Sequence, residues 1–296
     1  MNIAVIGDSF PESLLLDNDG YPSIIYNELS SYNKEGVRLE KYTKSGVLLK
    51  DVTDLLNPDF YATNWDYVIL HCGNFESYPS ISKKTHKFLF NKWIQEDLRH
   101  RLKYRSKLTE LSFDLKQKLR GILNYTFGVD FKTSNEAFYT EYKSIIEHLK
   151  NNGVRNIIIV SLSKVDEYIN KNYNQYILNY NEIIKEIGTE LNVKLIDVLN
   201  FPLEASEKVH TKDGWHWNET GHTIVASEIL KEVFGHNIKN KKCYKQSTNN
   251  KNQSLSGLLS IKNILRIIEL IPLSILIFYF KTFTPVDKKR KQVNYE

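Results

Sequence analysis

The sequence predicts an α/β sandwich built around a mostly parallel five-stranded sheet. Short apolar runs typical of strands alternate with longer segments of helical periodicity over about the first 235 residues. The chain of 296 residues is 41% hydrophobic and 25% charged, a composition that favours a globular protein over a disordered one. This length allows one large domain together with an appendage.

Two sets of segments follow from this alternation. Strands are predicted where short apolar or alternating runs occur, and helices where apolar residues recur every three to four positions. The strands are 2–6, 37–42, 67–71, 155–160 and 193–198, and the helices are 21–33, 88–120, 137–150, 173–191 and 219–234. In a parallel sheet the carboxyl ends of the strands meet at one edge, so residues that follow different strands can converge there.

The last part of the chain differs in chemistry from the rest. We divide the chain into a domain at 1–238, a polar linker at 239–257 and an apolar helix with a polybasic end at 258–296. The uncharged apolar run 270–280 is shorter than the roughly 20 residues of a membrane-spanning helix. We therefore expect 258–296 to contact an anionic membrane surface, and the alternative is packing on the domain or on a partner subunit.

Several classes of site are missing from the sequence. Two cysteines, Cys72 and Cys243, are too few for a disulfide framework or a cysteine-based zinc site. Glycine-rich phosphate-binding and dinucleotide-binding patterns do not occur, and neither does the spacing of metal ligands. We expect no cofactor, no metal and no nucleic-acid partner. Because the N-terminus lacks a basic and apolar leader, we expect a cytoplasmic protein, peripheral on the inner face of the membrane if the tail binds lipid.

Three short motifs together suggest a catalytic serine. Ser9 follows the first strand in Gly7-Asp8-Ser9, where a turn can hold its hydroxyl above the sheet edge. Gly46 follows the second strand, and its backbone N–H could face a reacting oxygen. Asp213 and His216 lie three residues apart on one loop, so the carboxylate can orient the imidazole and leave its other nitrogen free to accept the serine proton. Such an arrangement performs acyl transfer.

These motifs resemble the sequence blocks of the SGNH hydrolases, also called the GDSL esterase/lipase family. The resemblance covers about 1–235 and depends on Gly7-Asp8-Ser9, Gly46, Gly73-Asn74 and Asp213-x-x-His216, in that order. It implies a flavodoxin-like three-layer α/β/α sandwich. It also implies that Ser9 is the nucleophile and first oxyanion donor, Gly46 the second donor, His216 the general base and Asp213 its orienting partner.

The third block departs from the family pattern. The family usually has Gly-x-Asn-Asp, with the asparagine amide as third oxyanion donor, and this chain has Gly73-Asn74-Phe75-Glu76. If Gly73 is the family glycine, Phe75 occupies the asparagine position. If Asn74 is the family asparagine, Cys72 replaces the glycine. A shift by one residue reverses the side-chain direction in an extended segment, so both alignments stay open, with Asn74 as the candidate donor.

The resemblance implies a serine esterase that acts on an O-acetyl or other small acyl ester of a carbohydrate or lipid-linked glycan. The glycan is suggested because 73–79 resembles a variant block of SGNH-like proteins from bacterial surface-polysaccharide loci. Two alternatives are an O-acetyltransferase with the same residues, and a non-catalytic membrane-associated protein that binds or assembles glycans on a hydrolase scaffold. Among the neighbouring residues, we expect packing roles for Trp215, Trp217 and His222, and an exposed loop at His210.

Overall fold

A computed structural model gives the fold of most of the predicted domain. It describes residues 1–13, 16, 20–32, 36–78, 80–81, 129–130, 133–166, 173–205, 208–211 and 214–236, all within one compact unit. The predicted helix 88–120, the linker 239–257, the apolar segment 258–296 and Asp213 lie outside these residues and stay predictions. Within the described part of the chain, no helix is both long and apolar enough to cross a membrane.

The main sheet has five parallel strands in the order β2-β1-β3-β6-β7, and each coincides with a predicted strand. A separate antiparallel pair, β4 and β5, was not predicted. The bounds of the strands in chain order are β1 (Asn2–Gly7), β2 (Arg38–Thr43), β3 (Tyr67–His71), β4 (Ser80–Ile81), β5 (Val129–Asp130), β6 (Ile157–Val160) and β7 (Lys194–Ile196).

Strand β1 lies between β2 and β3 and is buried along most of its length. Ile3, Ala4, Val5 and Ile6 are all fully buried, because helices cover both faces of a parallel sheet. At the carboxyl end, Gly7 lies opposite Thr43 of β2 and His71 of β3. The residues that follow these three strands are therefore neighbours at one edge.

The helices form the two outer layers. Those in the described residues are α1 (Ser9–Glu12), α2 (Gly20–Tyr32), α3 (Pro58–Ala62), α4 (Asn74–Ser77), α5 (Asn135–Asn151), α6 (Tyr173–Glu190), α7 (Phe201–Glu204) and α8 (Glu219–Phe234), with 3-10 turns at Leu49–Asp51 and Thr53–Leu55. Helix α2 packs against α8, and α5 packs against α6.

The connections explain the three layers. The chain moves from β1 to β2 in one direction across the sheet and from β3 to β6 in the other. Because parallel crossovers are right-handed, α2 and α5 lie on opposite faces. This strand order is that of flavodoxin-like sheets, in which ligands bind where the direction reverses, between β1 and β3. The predicted α/β/α sandwich is confirmed.

Capping residues set the bounds of the long helices. Ser134 accepts a hydrogen bond from Ala137 N–H at the start of α5, and Asn218 accepts one from Gly221 N–H at the start of α8. Helix α8 ends at Phe234 and is capped by Gly235, which has a φ of 66°. The cap at Asn218 fixes the point where the loop that carries His216 enters a rigid helix.

Candidate active site

Ser9 lies just beyond the carboxyl end of strand β1 and is the first residue of α1. Strand β1 ends at Gly7, where a Cβ would lie 2.0 Å from the backbone oxygen of His71 on β3. Only glycine permits such a close approach of two backbones. The carboxylate of Asp8 caps α1 by accepting a hydrogen bond from Phe10 N–H at 3.1 Å. The strand end and the cap thus hold Ser9 at the sheet edge.

Asp8 joins the Ser9 segment to the segment that follows β3. Its carboxylate is fully buried and accepts hydrogen bonds from the backbone N–H of Asn74 at 3.1 Å and from Asn74 Nδ2 at 3.1 and 3.3 Å. Burial raises the pKa of Asp8 to about 6, and the hydrogen bonds from Phe10 and Asn74 oppose that rise. The sequence did not indicate this role, because the partners are 66 residues apart.

Asn74 begins α4 directly after Gly73, whose φ is 102°. Its side-chain amide is directed at Asp8, which brings Asn74 to the carboxyl edge of the sheet. Phe75, the other candidate for the family asparagine position, is half-buried. Cys72 is 1% exposed, and burial raises the pKa of its thiol. The role of Asn74 as an oxyanion donor stays a prediction, and both alignments of this block stay open.

Gly46 lies in the turn after β2 and has a φ of 70°, a conformation that favours glycine. The turn is joined to the serine segment by a hydrogen bond of 3.1 Å from Lys44 N–H to the carbonyl of Gly7. Gly7 is only two residues before Ser9, so the two segments are fixed to each other. The role of the Gly46 N–H as second oxyanion donor stays a prediction.

Glu76 is a buried carboxylate that the sequence analysis did not single out. It lies in α4 with no exposed surface, and its Oε1 accepts a hydrogen bond from Leu49 N–H at 2.5 Å. Leu49 begins the 3-10 turn that follows Gly46 by three residues. Glu76 therefore connects the segment after β3 to the segment after β2. A single buried acid in a four-residue helix leaves no periodic signal in the sequence.

His216 reaches Ser9 from a distant part of the chain. Its Nε2 lies 2.9 Å from Ser9 Oγ, a hydrogen-bonding distance between residues 207 positions apart. The imidazole also lies 5.3 Å from the ring of Phe10, centroid to centroid. A serine hydroxyl and an imidazole nitrogen are thus in direct contact. Asp213, the predicted partner of His216, is outside the described residues.

Trp215 and Trp217 flank His216 and are both buried, as expected for packing residues. Trp217 stacks on His71 at 5.2 Å and donates a hydrogen bond of 2.8 Å from Nε1 to Ser163 Oγ. Trp215 meets the rings of two tyrosines edge-on, at 4.7 and 4.8 Å: Tyr78 and Tyr173. The two tryptophans therefore attach both sides of His216 to the domain.

Three other histidines are buried close to this region. Burial lowers the pKa values of His71 and His222 to about 3, so both are neutral at physiological pH. His222 Nδ1 accepts a hydrogen bond from Tyr21 N–H at 3.2 Å, in agreement with its expected packing role. The expectation of an exposed His210 is wrong. His210 is 3% exposed because it forms a β-bridge with Trp217 and contacts Asp166.

The described residues contain no cluster of three or more His, Cys, Asp or Glu side chains arranged to bind a metal ion. Their chemistry at the sheet edge is that of a serine hydroxyl beside an imidazole. A group of this kind can attack a carbonyl carbon and pass the hydroxyl proton to nitrogen.

Comparison with solved structures finds the same fold in several proteins. An α/β hydrolase from the metagenome of Lake Arreo in Spain superimposes with a TM-score of 0.51 at 15% identity, over 77% of this chain and 93% of its own. A lipase/acylhydrolase from Enterococcus faecalis superimposes with a TM-score of 0.52 at 14% identity, over 79% of this chain and 95% of its own. An acetylxylan esterase from Geobacillus stearothermophilus superimposes with a TM-score of 0.52 at 18% identity, over 78% of this chain and 93% of its own.

Sequence comparison adds the family. A model of the GDSL-like lipase/acylhydrolase family matches residues 121–229, which include Asp213 and His216 but not Ser9. No curated protein matches the chain. The Ser9 block thus lies outside the matched region, and the contact between Ser9 and His216 joins the two. Residues 121–229 are therefore similar to the GDSL-like lipase/acylhydrolase family, and this similarity supports an enzyme that acts on ester bonds.

Proposed function

We propose that the protein is a serine acyl hydrolase in which Ser9 is the nucleophile, His216 the general base and Asp213 the residue that orients His216. The observation that carries this proposal is the 2.9 Å contact between Ser9 Oγ and His216 Nε2. A base within this distance can accept the hydroxyl proton while the oxygen attacks. Asp213 is included on its spacing from His216 in the sequence.

The reaction has two halves. Ser9 Oγ attacks the ester carbonyl and its proton passes to His216 Nε2, which gives a tetrahedral oxyanion. The intermediate collapses, the C–O bond to the alcohol breaks, and His216 donates the proton to the departing alcohol oxygen. A water molecule then loses a proton to His216 and attacks the acyl group on Ser9. Release of the acid returns the proton to Ser9 Oγ.

The oxyanion would be bound by the backbone N–H groups of Ser9 and Gly46, with the amide of Asn74 as a third donor. The hydrogen bond from Lys44 to Gly7 supports this arrangement, because it fixes the Gly46 turn against the Ser9 segment. Each donor of this kind typically contributes about 10²–10³ in rate. In the described structure the Asn74 amide bonds to Asp8, so a donor role requires that it share its hydrogens between Asp8 and the oxyanion.

The substrate we propose is a small acyl ester, most simply an O-acetyl ester, of a carbohydrate or lipid-linked glycan. The support is twofold. The block 73–79 resembles a variant seen in glycan-related members of the family, and one protein of the same fold is an acetylxylan esterase. Fold similarity alone does not transfer a substrate, so the acyl and alcohol groups need a direct assay.

A fluorophosphonate probe tests the nucleophile. Wild type should be labelled stoichiometrically, Ser9→Ala should not be labelled, and His216→Ala should be labelled at least about 100-fold more slowly because the base is lost. Ser31→Ala is the matched control, since Ser31 is an exposed serine on α2 and its removal should leave labelling unchanged. Folding of each variant is checked by circular dichroism.

The same variants distinguish the other functions. Hydrolysis of acetyl, butyryl and octanoyl 4-nitrophenyl esters measures the acyl preference, and we expect the acetyl ester to be cleaved fastest. Transfer of acetyl to an added oligosaccharide faster than to water would instead indicate an O-acetyltransferase. Absence of labelling in folded wild-type protein would contradict the hydrolase and leave a glycan-binding protein as the alternative.

A further inference from the structure

His216 lies on a short loop that leads into helix α8. We define the His216 loop as residues 210–217, of which 212 and 213 are outside the described residues. An antiparallel bridge between His210 and Trp217 closes the loop, and Thr211 N–H donates to the carbonyl of His216 at 2.8 Å. The position of the imidazole at Ser9 therefore depends on what holds this loop against the domain.

Asp166 contacts the loop at two separate points. Its backbone N–H donates to the carbonyl of Gly214 at 3.0 Å, close to the tip of the loop. Its Oδ1 lies 2.8 Å from Nδ1 of His210, at the base of the loop. The same segment after β6 supplies Ser163, which accepts the hydrogen bond from Trp217 Nε1. This one segment thus anchors the loop on both sides of His216.

The contact between His210 and Asp166 can hold the His210 side chain in one position. Because a carboxylate only accepts, His210 donates from Nδ1. The His210 side chain is 2% exposed, and Asp166 supplies its one hydrogen bond in the described part of the chain, since Nε2 is buried without a partner there. When the hydrogen-bond partner of a buried polar side chain is removed, the protein loses the free energy of that bond and also bears the cost of a buried donor without an acceptor.

A lysine near Asp166 serves as an internal comparison. Lys208 Nζ lies 3.9 Å from Asp166 Oδ2, but its side chain is 62% exposed. Exposed ion pairs of this kind contribute little, because water and salt screen them. The buried imidazole, and not the exposed ammonium, is therefore the partner through which Asp166 can hold the loop.

We propose that Asp166 and His210 form a positioning pair that holds His216 Nε2 in line with Ser9 Oγ. This inference depends on the proposed function of Ser9 and His216. Neither residue contacts the reacting atoms, and both act through the His216 loop. A displacement of a catalytic group by about 1 Å can lower the rate about 100-fold. Loss of the pair should therefore lower kcat far more than it alters substrate binding.

The test is steady-state kinetics on an acetyl ester, together with the rate of fluorophosphonate labelling per labelled site. His210→Ala and Asp166→Ala should each lower kcat and the labelling rate about 10–100-fold, with KM changed by less than about threefold. The double variant should lose no more than the worse single variant, because one contact is broken in each case. Lys208→Ala should stay within about twofold of wild type.

Conservative variants separate positioning from general stability. In His210→Asn the amide nitrogen can donate where Nδ1 did, and in Asp166→Asn the amide oxygen can still accept. Both should recover most of the lost kcat. A purely structural role would reduce the fraction of labelled protein while leaving kcat per labelled site unchanged.

Two results would overturn the pairing. One is a kcat per labelled site in His210→Ala that equals that of the wild type. The other is a loss of kcat in the double variant that equals the combined losses of the two single variants. These outcomes are independent of the proposed function itself, which fails instead if Ser9→Ala is still labelled or still active. Since labelling counts only folded sites, a variant that folds poorly still yields a rate per site.

Discussion

The two sides of the candidate site are held in different ways. Ser9 lies at the end of β1, where Gly7 permits backbone contact with β3 and the buried Asp8 joins the adjacent segments. His216 lies on a loop outside the sheet, which side chains and single backbone hydrogen bonds attach to the segment after β6. The serine side is therefore fixed by sheet geometry, and the histidine side by the packing of two tryptophans together with polar contacts.

Because the serine side is held by close backbone contact, a side-chain atom added at Gly7 should disrupt it by steric overlap. In Gly7→Ala the new Cβ would lie 2.0 Å from the backbone oxygen of His71, which cannot move without disturbing β3. We expect a loss of about 3 kcal/mol or more in the free energy of unfolding, with little folded protein recovered. Urea denaturation followed by circular dichroism measures it.

Gly153→Ala is the matched control for that substitution. Gly153 has a φ of +85°, but a Cβ there would meet nothing within 4 Å. The substitution should lower the free energy of unfolding only by the backbone strain, about 1–2 kcal/mol. Equal losses in the two variants would contradict the view that backbone contact between β1 and β3 fixes the serine side.

Asp8→Asn tests the buried carboxylate with a smaller change of shape. An amide nitrogen would face the N–H groups of Asn74 where Oδ2 now accepts them. Because the Asn74 segment would turn away, we expect kcat/KM to fall about 10–100-fold. Hydrolysis of an acetyl ester at pH 8 measures this, and an unchanged rate would show that Asp8 does not order the site.

The stability of the same variant has a defined pH dependence. The pKa of Asp8 is raised from 3.8 to about 6 by burial, so between these values the folded protein binds the proton that the unfolded chain releases. Wild-type stability relative to Asp8→Asn should therefore fall as the pH rises from about 4 to about 6, by on the order of 1–3 kcal/mol. A pH-independent difference would argue against the raised pKa.

Ser163→Ala is the mildest change on the histidine side. It removes the acceptor of the buried Trp217 Nε1–H and should cost about 1–2 kcal/mol of stability. It should also lower kcat severalfold, because Trp217 closes the loop that carries His216. Ser134→Ala, which removes the cap of α5, should cost about 1 kcal/mol without changing kcat. If both variants lower kcat equally, the loop is not the cause.

The sequence predicted the elements whose signals are local. Each strand of the main sheet is a continuous apolar or alternating run, so the strands could be predicted. The motif at Gly7 to Ser9 directly follows one of these strands, and the approach of Ser9 to His216 could therefore be predicted as well. The two-residue strands β4 and β5 were missed because two residues show no alternation.

The side-chain contacts around the site could not be predicted in the same way. Asp8 and Asn74 are 66 residues apart, and Asp166 and His210 are 44 residues apart. Only the folded sheet brings these partners together. His210 was expected to lie on an exposed loop, yet it forms a β-bridge with Trp217 and is 3% exposed.

The small pair of strands β4 and β5 has a consequence for how such a protein can change over evolutionary time. Ser80 pairs with Asp130 and Ile81 with Val129, so two segments that are far apart in the sequence lie side by side. The entropic cost of bringing two points of a chain together grows only with the logarithm of the number of residues between them. A change in the number of residues between β4 and β5 should therefore alter the cost of this pairing only slightly, which leaves evolution free to vary the length of the chain at this point.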